Sequence, residues 1–77
     1  MSRGDRKDMK IFGERLRKIR TETGDSREAL GKILGVSVSQ ICEMENGRKG
    51  TTLERLVILC RHYNVSADYL LGLSDDR

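Results

Sequence analysis

SREALGKILGVSVSQICEMENG, from Ser26 to Gly47, sets two short helical patterns either side of one glycine, and its reading decides the fold. Ser26 caps a first helix whose apolar side is Ala29, Leu30, Ile33 and Leu34. Gly35 ends it at a position where only glycine takes a positive φ cheaply, and Val36 plugs the turn. Ser37 caps the second helix. Gln40, three residues on, completes a capping box in which the two side chains satisfy otherwise orphaned N–H groups. Ile41, Met44 and Glu45 then fall on the inward side. That leaves Ser39, Gln40 and Glu43 on the other face and Val38 at its N-terminal end.

On the N-terminal side, Phe12, Leu16 and Ile19 recur at i, i+4 and i+7, which predicts an amphipathic helix from about Met9 to Thr23, ended by Gly24. Glu14 is spaced to pair with Lys18 one turn on. The eight residues before Met9 are polar and charged and read as a flexible basic arm. On the other side comes the loop GRKG, Gly47 to Gly50, whose bare backbone and two cations suit a phosphate strand. Thr51 with Glu54 is spaced as another capping box, opening a fourth helix whose inward side reads as Leu53, Leu56, Val57, Cys60 and Tyr63.

The run Leu56 to Cys60, LVILC, is apolar almost all the way round. Val57 and Ile58 therefore stand as candidates for a subunit interface, with a single tolerated exposed isoleucine as the other reading. Asn64 ends this helix, Ser66 caps a last short one, and Leu70 and Leu71 are placed to close the core. The expectation is an all-α, five-helix domain over residues 9–73, with an arm at 1–8 and a tail at 74–77.

A chain of 77 residues makes one small core, which stabilises by roughly 3–5 kcal/mol and gains from a dimer partner. Aromatic residues are 4% with no Trp, which argues against a stacking platform for single strands, and duplex recognition fits better. The chain has no bilayer-length apolar run and no signal-peptide pattern, so membrane association is not expected and a cytoplasmic location is. Cys42 and Cys60 are isolated and read as reduced packing residues, without metal-ligand spacing. His62 has no catalytic constellation around it in sequence. Neither an enzyme, a metal nor a cofactor is expected. The formal charge of +3 is uneven, with a net of +5 in residues 1–20 and −2 in residues 21–77. That is a modest footprint for a polyanion, and a solvated charged face would look the same.

Two short helices joined by a tight glycine turn are the spacing of a helix-turn-helix, whose second helix presents its N-terminal residues to base edges in a major groove. Beyond this, residues 12–73 resemble the phage repressor/Cro-like (xenobiotic-response-element) class of five-helix domains. FGERLRKIR at 12–20, Ser26 with Leu30, Leu34 to Ser37, Ile41 with Glu45 to Gly47, and NVSADYLLG at 64–72 carry the resemblance by their joint order.

The resemblance implies that Val38, Ser39 and Glu43 read bases. It also implies that Arg27, Lys32, Ser37, Gln40, Asn46, Arg48 and Lys49 form the phosphate-contacting set, and that Arg20 and Glu45 make an internal ion pair tying helix one to helix three. Gly31 departs from the usual alanine, Thr51 from proline and Asp25 from an apolar residue. The recognition helix has no Lys or Arg.

A carboxylate at Glu43 about 8 Å from a phosphate costs on the order of 1–2 kcal/mol at an effective dielectric of 20, which several cationic contacts outweigh. Glu43 can accept from a cytosine amino group, Val38 can pack on a thymine methyl, and Ser39 can bond to several bases. The function expected is a sequence-specific duplex-DNA-binding transcriptional regulator, a repressor acting as a homodimer, with a regulatory protein partner as a further possibility. The competing reading is a protein-interaction module, including an antitoxin, that keeps the fold and has weak or no DNA binding.

Overall fold

Serine or threonine precedes four of the five helices, and each of those side chains accepts a hydrogen bond from a backbone N–H of the first turn. The computed structural model describes residues 3–77, with side chains from Met9 onward. The helices are α1 (Arg3–Thr23), α2 (Arg27–Leu34), α3 (Val38–Glu45), α4 (Leu53–Tyr63) and α5 (Ala67–Leu70), with no strand among the described residues. Left-handed residues directly follow three of them: Gly24 after α1 at φ 83°, Gly35 after α2 at φ 73° and Asn64 after α4 at φ 54°. Asparagine is among the few residues other than glycine that visit this region routinely.

The core gathers one stripe from each helix: Phe12, Leu16 and Ile19; Leu30 and Leu34; Ile41 and Met44; Leu59 and Tyr63; and Tyr69 and Leu70, with Val65 from the last turn. Gly13 lets α1 cross the end of α3 at backbone distance. A methyl group there would stand 2.5 Å from the Glu45 carbonyl oxygen. Gly47, at φ 77°, lies as tightly on α1, where an added Cβ would come 2.8 Å from the Cα of Lys10.

Several expectations are corrected. The cap of α4 is Thr52, which accepts from Arg55 N at 3.1 Å, one residue later than the Thr51–Glu54 pattern. Its inward face shifts too: Leu59 is fully buried, while Leu53 and Val57 are 80% and 49% exposed. Two stripes with identical spacing run through this helix, one from Leu53 and one from Leu56, and only packing chooses between them. In the same way Leu30 and Leu34 take the buried side of α2 and leave Ile33 in solvent, and Leu70 closes the core without Leu71.

Of the expected arm, Met1 and Ser2 lie outside the described residues, and α1 begins at Arg3 rather than near Met9. Its Arg and Lys residues favour helix and no proline interrupts it. The tail is tied down. Arg15 donates to the carbonyls of Tyr69 (2.9 Å) and Ser74 (2.6 Å) and to Asp75 Oδ1 (2.8 Å), and Arg77 pairs with Glu22 at 2.7 Å.

Candidate nucleic-acid interface

The joint between α2 and α3 is closed by backbone bonds. The N–H groups of Gly35 and Val36 both donate to the Gly31 carbonyl, the second at 2.9 Å. A Cβ on Gly31 would come 2.7 Å from Val36 O, which explains why glycine stands there. Ser37 then starts α3. Ser37 Oγ accepts from Gln40 N at 3.2 Å, and Gln40 Oε1 accepts from Ser37 N at 3.0 Å. Because the box engages the amide oxygen, the NH₂ of Gln40 remains the donor end of an exposed side chain.

Ile41, Met44 and Glu45 are buried beneath α3, and Val38, Ser39 and Gln40 are exposed on its first turn. Ser39 and Glu43 are one turn apart on the same side. Glu43 is half-buried, and its Oε1 lies 3.5 Å from Lys49 Nζ. Arg48 and Lys49 are exposed in the loop that follows, Asn46 is the exposed C-cap of α3, and Lys32 is exposed in the last turn of α2. Val57 and Ile58 are exposed on α4.

α3 is anchored at its far end by charge. Glu45, with its side chain 1% exposed, accepts from Arg20 Nε at 2.5 Å and from Arg20 Nη2 at 3.2 Å. Arg20 Nη1 also donates to the Asp25 carbonyl at 2.9 Å, so one guanidinium ties α1 to α3 and to the segment entering α2. The Glu45 hydrogen bond raises the Arg20 pKa against the opposing effect of burial. Arg27, expected on a phosphate, gives its Nε to Glu45 at 3.1 Å and keeps a partly exposed side chain. Sequence reasoning missed this second cation, because nothing in the spacing of residues 27 and 45 marks them as neighbours.

His62 also has a partner that the sequence did not show, Asp25 Oδ2 at 2.8 Å from its Nε2. Burial pushes the Cys60 thiol up, away from thiolate chemistry. No group of three or more His, Cys, Asp or Glu that could hold a metal occurs among the described residues. An apolar cavity of about 250 Å³ between α1 and α4, lined by Met9, Phe12, Thr51, Leu56 and Leu71 among others, has no titratable side chain in its wall.

A family model described as a helix-turn-helix domain matches residues 11–73. The uncharacterized HTH-type transcriptional regulator YobD of Bacillus subtilis is 39% identical over 66 residues, a match covering 86% of this chain and 59% of YobD. The chain thus spans less than two thirds of that relative's length. Among solved structures, the P22 c2 repressor in complex with synthetic operator 9T superposes with a TM-score of 0.75 at 35% identity, covering 82% of this chain and 96% of that one. The restriction-modification controller protein C.AhdI from Aeromonas hydrophila does so with a TM-score of 0.72 at 30% identity, covering 83% and 97%. With its capped helix pair, glycine turn and buried Arg20–Glu45 anchor, the chain belongs to the helix-turn-helix family, in the phage repressor/Cro-like class.

Proposed function

We propose that this chain is a transcriptional regulator that binds duplex DNA sequence-specifically, with α3 in the major groove. The observation that carries this reading is the first turn of α3. Val38, Ser39 and Gln40 stand together in solvent on a helix whose opposite side is buried and whose base is held by Arg20 and Glu45. A side chain can read a base edge only if the helix beneath it is held in register, and those contacts supply the register. Val38, Ser39 and Glu43 are assigned to bases. The exposed Lys32 and Arg48, the free end of Arg27, Ser37, the amide of Gln40, Asn46 and Lys49 surround them as phosphate contacts.

The chain acts as a homodimer on two half-sites about one helical turn apart, with Val57 and Ile58 in the contact, and represses by occupying a promoter in the cytoplasm. The similarity to an operator-bound repressor supports the repressor reading. No helix is long and apolar enough to cross a membrane among the described residues.

Selection of bound duplexes from a random library, followed by a salt titration, tests this. The expected result is an inverted repeat bound with a log-log salt slope of about −5 to −7 per dimer. No enrichment, with an affinity flat in salt, would overturn it.

A further inference from the structure

The loop that follows α3 is built onto Glu43. The backbone N–H groups of Arg48 and Lys49 donate to the Glu43 carbonyl at 2.9 and 3.4 Å, and Lys49 Nζ lies 3.5 Å from Glu43 Oε1. On its other side the loop is pressed against α1 at Gly47, where a Cβ would sit 2.8 Å from Lys10 Cα. The stem of Lys49 therefore starts from backbone held on two sides, beside the residue whose carboxylate it meets. With side chains 63% and 39% exposed, the pair is solvated and adds little to stability. Its consequence is for position: the ammonium meets one carboxylate oxygen of Glu43, Oε1.

We propose that Lys49 is a specificity-determining positioning residue. It holds Glu43 by Oε1 and leaves Oε2 to accept from a base amino group, instead of spending its own charge on a phosphate. The inference rests on the DNA-binding reading above and moves Lys49 out of the phosphate-contacting set.

The test compares wild type with Lys49→Met, Lys49→Arg, Glu43→Gln and the Lys49→Met/Glu43→Gln double variant. Each is measured on the selected operator and on the same duplex with the Glu43-read base pair changed, across a salt series. Lys49 is exposed, so the variants are expected to keep the fold, as circular dichroism would show. Lys49→Met is expected to weaken the selected operator about fivefold to tenfold and the altered duplex less than about twofold, at an unchanged salt slope. It should have no further effect in the Glu43→Gln background, and Lys49→Arg should restore the preference.

Equal weakening on both duplexes, with the slope reduced by about one unit per subunit, is the signature of a phosphate contact and would overturn the proposal. So would unchanged binding by Lys49→Met. A wild-type protein that selects no duplex would remove the DNA reading itself, a result distinct from either.

Discussion

His62 on α4 places its imidazole Nε2 2.8 Å from Asp25 Oδ2, although 37 residues separate the two, and so fastens the fourth helix to the entry of the second. The imidazole hydrogen bond holds the Asp25 carboxyl below its ordinary value of 3.8, against a smaller opposing effect of burial. A carboxyl depressed by folding stabilises the native state fully above its unfolded value. The contribution is lost as pH falls through the lower folded value. His62→Phe is therefore expected to move the Asp25 midpoint up toward 3.8 in a carbon-detected NMR titration and to make the protein unfold at higher pH in acid. An unmoved midpoint would mean that the imidazole does not hold this carboxylate.

Removing half of the Arg20–Glu45 pair leaves a charge stranded in the core. Arg20→Met should cost about 3–5 kcal/mol in urea unfolding, because Glu45 then keeps only the half-solvated Arg27. Arg27→Gln should cost much less. Equal losses would show that the two arginines share the anchoring evenly.

At Gly13, helix propensity and packing point in opposite directions. Alanine gains about 1 kcal/mol on propensity, but its methyl meets the carbonyls of Met44 and Glu45. The expected outcome of Gly13→Ala is a net loss of about 1–3 kcal/mol, with the melting temperature lowered. A stabilised variant would mean that α1 can draw back from α3 at no cost.

The two possible faces of α4 are separated by a pair of truncations. Leu59→Ala should destabilise by about 2–5 kcal/mol and Leu53→Ala by less than about 0.5 kcal/mol, since the first side chain is fully buried and the second is mostly in water. Thermal or urea melts read both directly, and a reversed order would restore the face inferred from sequence.

In the proposed dimer, Val57→Asp with Ile58→Asp should leave the circular dichroism unchanged, because both side chains are exposed in the single chain. The sedimentation coefficient should fall to that of a monomer and half-site cooperativity should disappear. An unaltered sedimentation profile would move the contact elsewhere on the surface.

What the sequence made legible was whatever depends on nearest neighbours along the chain. The Ser37–Gln40 box, the positive φ at Gly35 and the outward placement of Val38, Ser39 and Gln40 all follow from residues within a turn of one another. The phase of α4 did not, because LVILC offers an apolar stripe in either setting and the choice belongs to α2 and α5. Tyr69 and Val65 entered the core unnoticed for the same reason. The second cation on Glu45, the carboxylate beside His62 and the Lys49–Glu43 contact join separate segments of the fold, and a single sequence does not display such pairings.

The capping box and the closed turn hold α3 without help from Val38 or Ser39. On the proposed DNA reading, base recognition at these two positions is thereby separated from the contacts that hold the helix. In the proposed complex with DNA, replacements at Val38 or Ser39 would re-address the protein to another target one substitution at a time, while the scaffold that carries them goes on folding as before.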